Sequence, residues 1–157
     1  MNPESVSNFL RENNIRGEIV QLSHHASTVE AAAQALGVSS DGIVKSVVLL
    51  ADSSPILVIA NGTARIDTKR LADYLGVAKK RVKLADSPTV LELTGFSIGG
   101  VPPFGHKTPL RTLVEDRVLN QPEVYAGGGA VDAVLRIAPA EIVRVTSAEI
   151  ISLAEKD

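Results

Sequence analysis

The chain has no cysteine, no tryptophan and a single methionine in 157 residues. Without cysteine there is no disulfide framework, no thiolate metal site and no thiolate nucleophile. Two tyrosines and three phenylalanines are the only aromatics, too few for a platform that stacks single-stranded bases. Any nucleic-acid contact would therefore run through phosphates and shape. No apolar run approaches the ~18 residues of a membrane span. The polar, amphipathic opening MNPESVSNFLRENN lacks a signal-peptide hydrophobic region. A cytoplasmic protein with no membrane partner is expected.

Apolar residues make up 45% of the composition, enough for a real core, and the length suits one domain, residues 1–157. The net charge is only −2, but it is unevenly spread. Seven basic residues (Arg65, Lys69, Arg70, Lys79, Lys80, Arg81 and Lys83) face only Asp67 and Asp73 in this stretch, while the rest of the chain is acidic. Such a stretch is either a solvated helix face with a charged turn or a local footprint for a polyanion.

Asn2 and Pro3 read as an N-cap and first helical position, with Val6, Phe9 and Leu10 on one apolar face. Gly17 to Leu22 reads as a strand. Ser27-Thr28-Val29-Glu30 fits a capping box for an alanine-rich helix through Leu36 that stops at Gly37. Asp41-Gly42 turns into the strand IVKSVVLLA, and Asp52 to Pro55 turns that into ILVIA, the clearest hairpin of the sequence. Asp67 caps a helix through Leu75, Arg81 to Leu84 is a short strand, and Ser87-Pro88 starts a helix stopped by Gly95. Strands follow near Thr112 to Glu115, at Glu123 to Ala126 and at Ala133 to Ala138, and a last helix is expected over Ser147 to Glu155. Short strands mixed with short helices, without strict βαβ alternation, indicate an α/β domain of α+β character.

Three features carry candidate chemistry. In the strand containing Lys45, both faces are apolar apart from one polar member each, Lys45 and Ser46. An ammonium there must snorkel, find an acid or point into a polar cavity. GGVPPFGH, Gly99 to His106, combines three glycines with two prolines; it is either a tight turn or a stiff cradle whose bare backbone approaches a carbonyl or phosphate oxygen. The triplet Gly127-Gly128-Gly129 is a hairpin or bulge, or a second backbone wall of the same cavity. Among the histidines, adjacent His24 and His25 have no ligand-spaced partner and read as loop residues, so no metal site is expected. His106 is an acid, base or donor near neutral pH, or the cap of its own turn.

Together these features go further. The lysine in GIVKSVVLL, followed by Gly99-x-x-x-Pro103-x-Gly105, resembles the YbaK/prolyl-tRNA synthetase-associated domain family. Helix Thr28 to Ala32, the stretch Ile66 to Leu71 and Tyr125 to Gly129 fall in the same order, so the resemblance spans almost the whole chain. It implies a bifurcated, barrel-like mixed sheet surrounded by short helices, and a free-standing editing hydrolase that removes a small wrong amino acid from tRNA for proline. No cofactor is implied. By the same resemblance Lys45 lies near the 3′-terminal adenosine and its phosphate, and Gly99, with Lys45, is a catalytic candidate. Thr28, Gly100, Val101, Pro103, Gly105, His106 and Gly128 are candidates for binding the aminoacyl group. A ribose hydroxyl of the tRNA assists in the family, which fits the absence of a recognisable dyad. Pro102 and His106 depart from the family's usual loop and should reshape the pocket. Arg65, Lys69, Arg70, Lys79, Lys80 and Arg81 are the candidates for acceptor-stem phosphates. The partners implied are the aminoacylated tRNA and, conditionally, prolyl-tRNA synthetase. The competing reading is a noncatalytic module that binds an amino acid or nucleotide end, or docks on a synthetase.

Overall fold

The computed structural model describes residues 1–23 and 28–155. His24, His25 and Ser27 lie outside the described residues. Local capping signals set most helices. Helix α1 (Pro3–Glu12) starts at Asn2, whose side chain accepts from the Ser5 amide while Ser5 answers to the Asn2 amide. Helix α2 (Val29–Leu36) is capped by Thr28, α3 (Thr68–Leu75) by Asp67 and α4 (Ser87–Thr94) by Asp86. Each cap supplies an oxygen to an amide that the first turn leaves unpaired.

Among the described residues, eight strands form two sheets. The first is antiparallel, with β1 (Gly17–Gln21), β7 (Ala133–Ile137) and β6 (Val124–Ala130) in that order. The second runs β4 (Val82–Leu84), β2 (Val44–Ala51), β3 (Ser54–Asn61), β5 (Arg111–Glu115), β8 (Glu149–Ile151). Its β4–β2–β3 half is antiparallel, and β5 and β8 join in parallel. The β2–β3 hairpin turns at Asp52 and Ser53, both at positive φ (49° and 69°). That backbone twist matches the strands it joins. A parallel bridge from Ile43 to Tyr125 links the two sheets at the start of β2. The arrangement is a mixed sheet that divides, and no closed barrel is found among the described residues.

Strand β3 lies at the centre, with Ile56 to Ala60 at 3% exposure or less. One side of β2 and β3 (Val44, Val48, Leu57, Ile59) packs into the core shared with β6, β7, α1 and α5 (Pro139–Thr146). The other side (Leu49, Ala51, Ile56, Val58) packs under α3 through Leu71 and Ala72. The strand carrying Lys45 is thus covered on both faces, as the apolar residues on each face predict. Among the described residues no helix is long and apolar enough to cross a membrane.

The C-terminal region corrects the sequence reading. The last helix is α5, starting at Pro139, and Ser147 ends it in the left-handed conformation (φ 53°) rather than opening a new one. Proline at the first helical position has no amide to leave unpaired. Glu149–Ile151 then forms β8, where β-branched Ile150 and Ile151 suit pairing against Val114 and Glu115. Arg111 of β5 and Tyr74 of α3 hold Glu149 by hydrogen bonds of 2.7 to 2.8 Å, which keep its carboxyl down at about 2.

The glycine triplet is part of β6, and the register shifts between Gly127 and Ala130 as a bulge. A Cβ on Gly127 would sit 2.1 Å from the Val101 carbonyl oxygen, and one on Gly100 would sit 2.7 Å from the Ala130 nitrogen. Two bare backbones are in direct contact here. Gly127→Ala should therefore lower stability by about 1–3 kcal/mol, read as a reduced urea midpoint. An unchanged midpoint would show that the loop and the strand do not touch.

Candidate functional site

The Ile43–Tyr125 bridge brings the first residues of β2 against β6, and a cavity of about 280 Å³ opens beside it. Lys45, Gly99 and Thr28 line it together with Tyr125, Gly127 and Val131. Three of the candidates named from sequence thus meet in one space, although they lie on a strand, a loop and a helix cap. Lys45 is half-buried and its Nζ donates to the Ala64 carbonyl at 3.1 Å. The turn bearing Ala64 is itself fixed, because the Gly62 amide donates to Ile43 at 2.7 Å and the Ala64 amide to Asn61 at 2.9 Å. Among the described residues no carboxylate ion-pairs with Lys45. An ammonium has three donors, so this one keeps capacity for an oxygen of a bound ligand.

Gly99 sits at φ +97°, where a side chain would be strained and would also meet Val131 at 3.2 Å. The Gly100 amide donates to Ser97 at 3.1 Å, and its carbonyl accepts from Gly129 at 2.8 Å. Gly100 is therefore committed on both sides, to a turn and to β6, and its N–H is not a free donor for an aminoacyl group. Among the described residues the Gly99 and Val101 amides have no hydrogen-bond partner. The loop is a turn at residues 97–100, and that turn presents Gly99 to the cavity. Thr28 also has its hydroxyl engaged, accepting from the Ala31 amide at 3.0 Å.

The other loop candidates separate from Lys45. Val101 faces a neighbouring apolar cavity of about 240 Å³ with Val48, Val90 and Ile98, which shares only Gly99 with the lysine's cavity. Pro103, Gly105 and His106 line a third space of about 200 Å³ beside Phe9, Leu110 and Val145. There Phe9 stacks on Phe104 with ring centres 5.4 Å apart, anchoring the loop to α1. His106 Nε2 lies 2.7 Å from the Pro102 carbonyl oxygen. A carbonyl can only accept, so the ring carries a proton on Nε2 and closes its own turn. Burial pushes its pKa below the ordinary 6.5. Gly128 faces β7, where a Cβ would meet the Ala133 backbone at 2.8 Å, and does not line the lysine's cavity.

The basic stretch divides in space. Arg65 lines a polar cleft of about 480 Å³ together with Arg117. On α3, Lys69 pairs with Asp73 at 3.1 Å and Arg70 bonds to Ser152 at 3.3 Å. Arg81 reaches Asp52 at 3.4 Å, and Lys79 and Lys80 are exposed beside it. These three precede β4, which pairs with Leu49 to Ala51 at the far end of β2 from Lys45. At 3.3 Å per residue that separation is about 20 Å. Val131 and Arg117 escaped the sequence reading, and Tyr125 entered it only as the start of a motif; the bridge and the sheet order bring them to the cavities.

A family model, the aminoacyl-tRNA editing domain, matches residues 23–145. The chain belongs to this family of aminoacyl-tRNA editing domains. It is 28% identical over 143 residues to the uncharacterized protein YwhH of Bacillus subtilis, covering 90% of this chain and 89% of that one. It is 28% identical over 130 residues to the proline–tRNA ligase of Lactobacillus helveticus, covering 82% of this chain but only 23% of the ligase. Among solved structures, a candidate trans-editing enzyme for prolyl-tRNA synthetase superposes with a TM-score of 0.91 at 34% identity, covering 98% and 97% of the two chains.

Because burial holds His106 neutral in the native state, its contribution to stability is complete above the unfolded-state value of about 6.5. That contribution is lost as pH falls through the lower folded value. NMR titration of the ring should therefore give a pKa below 6.5. A value at or above 6.5 would contradict the buried, self-capping placement.

Proposed function

We propose that this domain acts in trans as an aminoacyl-tRNA deacylase, hydrolysing the ester between a small wrong amino acid and the 3′ end of tRNA for proline. The observation that carries the reading is the convergence of Lys45 and Gly99 on one cavity. The family membership and the trans-editing relative support the same reaction class. In this reading the Lys45 ammonium holds a phosphate or hydroxyl oxygen of the terminal nucleotide, since it is cationic and tethered by one hydrogen bond. The Gly99 amide faces the ester carbonyl and stabilises the charge that develops on its oxygen. A water molecule attacks the acyl carbon, the bond to the ribose oxygen breaks, and that oxygen takes up a proton. Free amino acid and tRNA with an intact 3′ end result. An ester is already activated, so orientation of water and substrate contributes much of the rate, with a ribose hydroxyl assisting. Thr28 shapes the wall as a helix cap.

The decisive test is amino acid release from tRNA for proline charged with alanine, cysteine, serine or threonine. Wild type should release at least one above background, and Lys45→Ala should be slower by at least about 100-fold with an unchanged melting temperature. Release of none, with no effect of the variant, would favour a noncatalytic binding module.

The outlying basic turn is proposed to meet the acceptor stem. Charge reversal at Lys79, Lys80 and Arg81 should weaken tRNA binding and flatten its salt dependence, because each lost phosphate contact lowers the slope. An unchanged slope would remove these residues from the interface.

A further inference from the structure

The polar cleft at Arg65 and Arg117 is linked to Lys45 through one wall, because Lys45 bonds to Ala64, which lines the cleft. The wall is the turn after β3. On one side its Ala64 carbonyl accepts from Lys45 Nζ, and on the other Ala64 and Arg65 line the cleft. Asn61, at the start of that wall, pairs in register with Val44, the residue before Lys45.

The cleft is built around a buried charge. Glu115 is 1% exposed, and its Oε2 accepts from the Arg117 amide at 2.7 Å. Its Oε1 accepts from the Ala154 amide at 3.3 Å and lies 3.8 Å from Arg117 Nε. One carboxylate thus fixes both the turn that carries Arg117 and the C-terminal segment, and both line the cleft. Burying a carboxylate is unfavourable unless it is paired, and this one is paired in a way that orients a half-exposed guanidinium. With Nε turned toward Glu115, the terminal fork of Arg117 keeps donors for a further partner. The Oδ1 of Asn61 is buried and has no hydrogen-bond partner among the described residues. Asp41 and Glu155 also line the cleft, so it suits a ligand with hydrogen-bond donors as well as a negative group. Among the described residues no aromatic side chain lines it, so recognition there does not run through stacking on an aromatic ring.

We propose that this cleft binds the nucleotide preceding the terminal adenosine of a single-stranded RNA 3′ end, with its phosphate between Arg65 and Arg117 and its base edge toward the amides and carboxylates. The proposal rests on the reading of the Lys45 cavity as the site for the terminal adenosine. The chain would then hold two successive nucleotides on the two sides of one turn.

The test is binding of an uncharged RNA minihelix ending in single-stranded ACCA, against the same duplex made blunt, by fluorescence anisotropy. Arg65→Gln and Arg117→Gln should each weaken binding of the overhang about five- to tenfold. Each should also reduce the salt slope by about 0.7, with no change on the blunt duplex. Arg65 is exposed and makes no ion pair among the described residues, so its variant keeps the comparison valid if Arg117→Gln unfolds. Unchanged affinity for the overhang, equal losses on both RNAs, or no RNA binding by wild type would overturn the proposal. Uncharged RNA separates this from the hydrolytic reading. Arginine-dependent binding without amino acid release leaves the cleft and removes the hydrolase; release without arginine dependence does the reverse.

Discussion

The contact between the turn at residues 97–101 and the bulged strand β6 is a backbone-to-backbone approach that only residues without side chains permit. The Gly129 amide reaches the Gly100 carbonyl at 2.8 Å, and the Gly127 position leaves no room for a Cβ beside Val101. Close approach of this kind is a recognised use of glycine. The two glycine-rich stretches therefore serve one another before they serve any ligand. Their contact fixes the turn that brings Gly99 to the cavity, while the Ile43–Tyr125 bridge sits at the start of the strand that brings Lys45 there.

Charge follows a related logic. Lys45 is tethered to a carbonyl rather than a carboxylate, so its charge is positioned without being neutralised. Glu115 does the converse: a buried anion that organises two chain segments and leaves a guanidinium at the surface. An interior carboxylate adds little net stability against an apolar replacement, and its effect here is to fix the geometry of the cleft. Tyr74, Glu149 and Arg111 form a third arrangement at the surface, tying a short edge strand to a helix. Exposed pairs of that sort contribute at most about 1 kcal/mol.

What could be read from the sequence was what short-range chemistry decides. Asn2, Thr28 and Asp67 announce helix starts because capping involves residues only three apart. The β2–β3 hairpin was legible from two apolar runs and the turn between them. Lys45 drew attention because a charge inside a largely apolar strand demands an explanation, and the structure gives it a cavity and a tether. The misreading at Ser147 has an equally local origin. A serine before an apolar run resembles a helix start, but Pro139 had already begun the helix that Ser147 ends. The GGVPPFGH loop read as one feature, whereas the structure spreads it over three cavities because Phe104 anchors its second half on Phe9. Nothing local could show that, nor that Arg117 would stand beside Arg65.

The order in which the strands meet also bears on how the domain is made. Gly17 of β1 pairs with Ile137 of β7, and β5 waits for β8. On a ribosome the two sheets stay incomplete until β7 and β8 have emerged, and the apolar faces of β2 and β3 stay partly uncovered for that time. Long-range and parallel pairings close slowly, since chain entropy is lost before contacts compensate it. Folding should thus be a late, concerted event, with the β2–β3 and β6–β7 hairpins as its sequence-local strand pairings.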